Sequence, residues 1–160
     1  MIYLIMMQNM RRKDREKPKD FALAVVDKCA YSVMATVNPD GSPYCIPISP
    51  ARKDDWLYFH CAHEGQKTSN LRQRNQVCVS CVGEQEPVPG KFTLRYESAV
   101  IFGVASEVTD SEEKIHALTL ISKRYTPDDM PVFDKHIEKF LNVTAVWKIH
   151  IDEISGKGKG

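Results

Sequence analysis

The chain has 160 residues and a mass of 18.2 kDa. One domain of this length buries enough surface to fold without a disulfide or a metal ion. Its 22 basic and 21 acidic residues leave a net charge of +1, so the composition gives no general attraction to nucleic acid or to membranes. The five cysteines are odd in number and lie in apolar segments, which predicts reduced thiols in a cytoplasmic protein.

The first residues, MIYLIMM, are apolar but too few to span a bilayer. They lack the basic region and the small-residue cleavage site of a signal peptide. We expect residues 1–9 to be a disordered or strand-like extension, with Met10 as the natural start. Residues 10–157 then form a single domain, and residues 158–160 form a mobile tail.

The first half of the chain is predicted to contain two helices and three strands. The helices cover residues 18–29 and 67–74, and the strands cover residues 31–37, 43–49 and 56–61. Asn38-Pro-Asp-Gly41 is a strong turn signal between the first two strands, because glycine adopts positive φ without strain. Pro47 lacks a backbone donor, so its strand should lie at a sheet edge or carry a bulge.

The second half is predicted to contain strands 77–82, 92–108 and 144–154 and helices 111–125 and 132–141. The apolar run 77–82 should be buried on both faces, and residues 84–90 read as a loop because of their prolines and glycine. Gly103 predicts a bulge, and Asp110 predicts a side-chain cap for the helix after it. The glycine- and lysine-rich end, Gly156–Gly160, should be mobile.

The order of these elements predicts a fold that is mainly β with accessory helices, of the α+β class. Six strands at hairpin spacing follow one another without a regular alternation of strand and helix. This arrangement favours an antiparallel barrel over a parallel sheet.

The most informative stretch is residues 56–72, WLYFHCAHEGQKTSNLR. An aromatic strand leads through a glycine-containing turn into a helix start, where free backbone N–H groups and the positive end of the helix face one point. Lys67 adds a full charge, and neighbouring polar side chains can add hydrogen bonds: Gln66, Thr68, Ser69 and Asn70. The pattern suits an anion, above all a phosphate, although an ordinary surface turn with a solvated lysine explains the same residues.

Two other groupings of ligand-type residues have simpler explanations. Cys78 and Cys81 form a C-x-x-C, but residues three apart in a strand point to opposite faces, so buried thiols are expected. His60, Cys61 and His63 lie close together without a second pair at zinc-like spacing, so no metal site is predicted. The sequence offers no convincing nucleophile–base pair, so a bound cofactor would carry any chemistry.

Short pieces along most of the chain resemble the pyridoxamine 5′-phosphate oxidase-like split-barrel flavoproteins. Within them the chain is most similar to the 5-nitroimidazole resistance (Nim-type) branch. The matching pieces lie in order between residues 10 and 157: Met10-Arg-Arg-Lys13, Ala35-Thr36-Val37, Asp40-Gly41-Ser-Pro-Tyr44, Ile46-Pro47-Ile48-Ser49, Leu57-Tyr-Phe-His60, Gly65-Gln66-Lys67, Val88-Pro89, Tyr96-Glu-Ser98, Phe102-Gly103, Arg124-Tyr125 and Ile154-Ser-Gly-Lys157.

The resemblance implies a six-stranded antiparallel split β-barrel that forms a homodimer and binds FMN in two clefts between the subunits. Lys67 should hold the FMN phosphate, together with Gln66, the turn amides and Asn70. The isoalloxazine should lie along the end of one strand, at Phe59, His60, Cys61 and Ala62. Backbone groups at Pro47, Ile48 and Ser49 should meet the polar edge of the ring, and Ser98 should come from the other subunit.

The resemblance also implies a function. The first hypothesis is a cytoplasmic FMN-dependent reductase that passes electrons from a reduced nicotinamide to a small electrophile such as a nitroaromatic compound, with His60 as a substrate contact. The second is a non-catalytic flavin or haem carrier or sensor, in which His60, His63 or His150 could be axial ligands. The third is a dimeric scaffold with an empty cleft. The chain lacks a C-terminal arginine–tryptophan segment, which argues against synthesis of pyridoxal phosphate.

Overall fold

The computed structural model describes residues 8–160, so the expectation for the first seven residues lies outside it. This part of the chain contains eight strands: β1 Glu16–Lys17, β2 Ser32–Val37, β3 Pro43–Ile48, β4 Ala51–Lys53, β5 Trp56–Cys61, β6 Gln76–Val88, β7 Thr93–Glu107 and β8 Ala145–Lys159. It contains four α-helices: α1 Lys19–Lys28, α2 Gln66–Gln73, α3 Ser111–Tyr125 and α4 Phe133–Phe140. No helix within these described residues combines the length and apolar character that crossing a bilayer requires.

All strand pairs are antiparallel, as predicted. The strand order is β3-β2-β6-β7-β8-β5-β4, with β1 paired to β8. Strands β3 and β4 form the two edges of the sheet. They are joined by a short bend, because β3 ends at Ile48 and β4 begins at Ala51. The sheet therefore curls into a barrel that stays open along this bent stretch, because β3 pairs with β2 while β4 pairs with β5.

Two apolar clusters hold the elements together. The first fills the interior of the curled sheet and includes Met34, Leu57, Phe59, Ile101 and Trp147, together with the buried face of α1. The second lies outside the barrel, where Tyr58 and Val146 of the sheet pack against α3. Because side chains alternate along a strand, β5 contributes to both clusters.

The predicted count of six strands is corrected to eight within residues 8–160. The six predicted strands are present, and the additional two are short, β1 with 2 residues and β4 with 3. The loop predicted for residues 84–90 is confined to residues 89 and 90, because β6 continues to Val88 and pairs with β7. Pro87 and Pro89 lie beyond the part of β6 that pairs with β2, so neither proline interrupts the interior of the sheet.

The glycine-rich end also differs from its prediction. Gly156 and Gly158 lie within β8, which pairs with β7 as far as Lys159. A Cβ atom on Gly156 would lie 3.1 Å from the Cβ of Ala22, and one on Gly158 would lie 3.0 Å from Phe21. These glycines therefore allow α1 to approach the strand closely, rather than giving the chain flexibility.

Several local predictions are confirmed. The β7–β8 register shifts between Phe102 and Gly103, which is the predicted bulge. The side chain of Asp110 accepts a hydrogen bond from the Glu113 backbone N–H at 2.8 Å and caps α3. Cys78 and Cys81 point to opposite faces of β6, as predicted. The prediction that both faces of this strand are buried is wrong, because Val82 on the outer face is 45% exposed.

Candidate functional site

Strand β5 directs alternate side chains to two different environments. Leu57 and Phe59 point into the barrel, while Trp56 and Tyr58 pack on the α3 side. By the same alternation His60 lies on the α3 side, where its side chain is exposed. The end of β5 therefore presents a buried aromatic ring on one face and an imidazole on the other.

Helix α2 begins a few residues later, and its first backbone N–H groups have no side-chain cap. Its N-cap residue is Gly65, which has a φ of 141° and no side chain that could accept from the first turn. The Thr68 hydroxyl donates to the Gly65 carbonyl at 2.8 Å and so does not cap these amides. The helix start has donors and a positive dipole end available for an anion.

Lys67 lies in this first turn and is half-buried. Its ammonium is 5.9 Å from the centre of the Phe59 ring. Among residues 8–160, no carboxylate forms an ion pair with Lys67, and α2 has no acidic residue in its first turn. A cation at the positive end of a helix is unfavourable by itself, so this arrangement favours a bound anion.

Two of the predicted ligand-binding side chains instead attach α2 to the β2–β3 turn. Asn70 is 1% exposed and donates to the Thr36 hydroxyl at 3.0 Å and to Asn38 Oδ1 at 2.8 Å. Gln66 Nε2 donates to the same Asn38 oxygen at 3.0 Å. Asn70 and Gln66 therefore hold α2 against the turn, and the contact of Asn70 with a cofactor stays a prediction.

The bent stretch between β3 and β4 forms the other side of the candidate site. Pro47 and Ser49 are exposed, while Ile48 points into the core and is 5% exposed. Ala51 lies opposite Tyr58, so the chain just before it, at Ser49, runs beside the end of β5 near His60. Within residues 8–160, β3 pairs with β2 and with no other strand, so the backbone groups of its outer edge are available for a ligand in this part of the chain.

His60 lies where this cleft meets α3 and α4. Partial burial lowers the pKa of the His60 imidazole, and the charge of Lys67 lowers it further. Cys61, on the opposite face, is half-buried, and burial raises the pKa of its thiol. Ala62 is exposed just beyond the strand. Because its pKa is lowered, the His60 imidazole is uncharged at neutral pH and is available as a hydrogen-bonding group.

The other two candidate axial histidines are placed differently. His63 Nε2 is 3.1 Å from the Asn142 carbonyl, and its Nδ1 is 3.9 Å from Glu107. His150 lies opposite Trp56, at the far end of β5, and its Nδ1 is 2.6 Å from Asp152. The three histidines therefore do not face a common point.

Ser98 lies far from the rest of the predicted site within one chain. Phe59 is opposite Trp147, which is opposite Glu107 on β7. At ~3.3 Å per residue, Ser98 is roughly 30 Å from Glu107 along that strand. The Ser98 hydroxyl donates to the Lys157 carbonyl at 3.4 Å.

Sequence reasoning missed the residue of the β2–β3 turn to which α2 is attached. Asn38 accepts from both Gln66 and Asn70, and its own amide donates to the Ser42 hydroxyl at 3.0 Å. The signal was present, since asparagine begins the Asn38-Pro-Asp-Gly41 turn, but a turn signal does not indicate which helix packs against it. His136 and Phe133 of α4, which line a cavity with His60, were also missed.

The comparisons with known proteins identify the family and the fold. The sequence profile of the pyridoxamine 5′-phosphate oxidase family matches residues 18–158, so the chain belongs to this family. No curated protein matches the chain.

Among solved structures, a protein of Bacteroides thetaiotaomicron described as a 5-nitroimidazole antibiotic resistance protein is 27% identical, with a TM-score of 0.74 over 88% of this chain and 84% of that one. The flavocytochrome Anf3 of Azotobacter vinelandii is 20% identical, with a TM-score of 0.76 over 96% of this chain and 73% of that one. A FAD- and haem-binding protein of Mycobacterium smegmatis is 21% identical, with a TM-score of 0.74 over 91% and 74%. The latter two share the fold.

Proposed function

We propose that the chain binds FMN and acts as a flavin-dependent reductase for a small electrophile. The observation that carries this proposal is Lys67, which has no ion-pair partner within residues 8–160 and lies in the first turn of α2, where no side chain caps the helix. A phosphate at this point would neutralise the lysine and accept from the first-turn amides.

The residues fit a phosphorylated flavin at both ends of the molecule. Lys67 and the amides that follow Gly65 suit the phosphate. Backbone groups at Pro47 and Ser49 lie on the exposed side of the bent strand and suit the polar edge of a planar ring. Membership of the pyridoxamine 5′-phosphate oxidase family supports the same assignment.

Each residue has a separable task in this proposal. The flavin, when bound, supplies two-electron transfer between a reduced nicotinamide and the electrophile. Lys67 holds the phosphate and fixes the position of the ring. The backbone of Pro47–Ser49 orients the ring, and His60, uncharged at neutral pH, donates a hydrogen bond to the substrate.

We propose a nitroaromatic compound, such as a 5-nitroimidazole, as the electrophile. The 27% identity to the Bacteroides protein described as a 5-nitroimidazole resistance protein supports this substrate class. We also propose a homodimer in which Ser98 of one subunit completes the site of the other. The long separation of Ser98 from Lys67 along one chain supports a contribution across subunits.

A flavin or haem carrier without turnover is the second candidate. Two proteins of the same fold are a flavocytochrome and a FAD- and haem-binding protein, which supports haem as the alternative cofactor. His60 is the histidine placed for a ligand, because His63 and His150 have other partners.

The absorbance spectrum of the natively purified protein, followed by acid release of the chromophore, separates these candidates. Flavin bands with released FMN support the reductase. An intense Soret band would favour haem at His60. A protein that carries no chromophore and gains none when FMN is added contradicts the proposed function while leaving the fold unchanged.

A further inference from the structure

A cavity of about 200 Å³ lies between the end of β5 and the helices α3 and α4. Its apolar walls come from both helices and the turn after α4: Leu118, Ile121, Phe133, Ile137, Phe140 and Leu141. No carboxylate, lysine or arginine is among its lining residues. An apolar cavity of ~150 Å³ holds benzene, so this one has the capacity for a single substituted ring.

Four of the side chains that line this cavity are polar. His60 contributes from β5, Ser122 from α3, His136 from α4 and Thr144 from the start of β8. The imidazoles of His60 and His136 are exposed, which places both at the mouth of the cavity. Apolar walls with a few convergent polar groups are the usual composition of a small-molecule site.

The packing of α4 leaves room for an occupant. None of its residues is buried, and Phe133, Ile137 and Phe140 remain half-buried although they are apolar. The helix is held near its end, where Lys114 Nζ donates to the Leu141 carbonyl and His63 lies against Asn142. A ligand ring would give these half-buried side chains the contacts that they lack.

A second cavity of about 170 Å³ adjoins the first and shares Ser122, Phe133 and His136 with it. The shared residues form the boundary between the two spaces. A substituent on a bound ring therefore has space beyond Phe133, towards Asp129 and Val132.

We propose that the cavity binds an uncharged, single-ring aromatic compound, and that His136 is a specificity-determining contact opposite His60. This inference rests on the proposed function, since His60 connects the cavity to the flavin cleft. It extends that function by assigning α4, which sequence reasoning left without a role, to recognition of the substrate ring.

The test is binding of phenol, measured by NMR chemical-shift changes without added flavin. Ser122→Phe fills the cavity, and His116→Phe adds the same ring to the same helix at an exposed position outside the cavity. We expect phenol to bind the wild type and His116→Phe equally, and Ser122→Phe at least tenfold more weakly.

A second pair of variants tests His136 without changing the volume greatly. His136→Leu should weaken phenol binding about fivefold, the size expected for one neutral hydrogen bond, while His116→Leu should leave it unchanged. Equal phenol affinity in Ser122→Phe and the wild type overturns the pocket, and equal affinity in His136→Leu overturns the role of His136. Because no flavin is present, a failure to bind FMN contradicts the proposed function without affecting this result.

Discussion

Helices α2 and α3 lie on either side of β5, and they differ in how their polar groups are paired. At the start of α3, Asp110 caps the first turn, and Glu113 accepts from Lys148 at 2.7 Å and from the Tyr58 hydroxyl at 3.0 Å. At the start of α2, a glycine provides no cap and the first turn carries Lys67 rather than an acid. The start of α3 is therefore capped within the chain, whereas the start of α2 is the point at which we propose that an anion binds.

This difference separates residues that stabilise the fold from residues that are available for function. Substitutions in α3 should change the free energy of unfolding and leave flavin affinity alone. Substitutions at the start of α2 should do the reverse. The following predictions test that separation, beginning with the largest effect.

Arg124→Leu should lower the free energy of unfolding by about 3 kcal/mol. The Arg124 guanidinium, at the end of α3, donates to the carbonyls of Val26 and Cys29 at 2.9 and 2.7 Å and to that of Pro50 at 2.9 Å. Its loss leaves these partly buried acceptors without their donor. Urea unfolding measures the change, with the exposed Arg95→Leu as the control. A loss below about 1 kcal/mol would show that α3 is not anchored in this way.

Lys67→Ala should weaken FMN binding by roughly 10- to 100-fold, since charge-assisted hydrogen bonds contribute about 1.5–3 kcal/mol. The stability of the flavin-free protein should change little, because no carboxylate among the described residues pairs with Lys67. Fluorescence titration with FMN gives the affinity. Lys123→Ala, in the last turn of α3, is the matched control and should bind FMN as the wild type does.

Asp110→Ala should lower the free energy of unfolding by about 1 kcal/mol, the usual effect of losing an N-cap side chain. FMN affinity should stay within about twofold of the wild type, because the cap lies at α3. Chemical unfolding and FMN titration of one preparation check both statements. Asp134→Ala removes a carboxylate from the first turn of α4, which has no side-chain cap, and is the control for removing a charge.

Tyr58 should produce the smallest effect, which appears only at high pH. Burial, with the hydrogen bond to Glu113, raises the pKa of Tyr58 to about 12. Because the folded state holds this proton more tightly than the unfolded state, the added stability is present below pH ~10 and is lost as the pH rises through about 12. Unfolding measured across this range should show a weaker pH dependence in Tyr58→Phe. An identical dependence would contradict the proposed burial.

The sequence was sufficient for most of the fold because the relevant signals are local. The aromatic composition that predicts β5 and the Asp110 cap each act within a few residues, and both predictions are confirmed. The tail was misinterpreted because Gly156 and Gly158 are explained by a contact with α1, which is more than a hundred residues away in sequence. Glycine spacing alone does not distinguish close packing from flexibility.

The candidate site was predictable in part for the same reason. Lys67 and Gly65 are neighbours in sequence, so their relation to the helix start could be recognised. The burial of Asn70 and its bonds to Asn38 depend on how α2 packs on the β2–β3 turn, which is a tertiary contact. The cavity beside His60 depends on the placement of α4, whose sequence contains no motif that indicates a ligand.

The affinity of the flavin-free wild type for FMN compared with riboflavin tests the central claim most directly. The two ligands share the ring system and differ by the phosphate, which is the group assigned to Lys67 and the start of α2. The account predicts that FMN binds at least tenfold more tightly than riboflavin, in line with a charge-assisted interaction of more than about 1.4 kcal/mol. Equal affinities would show that the start of α2 does not recognise the phosphate.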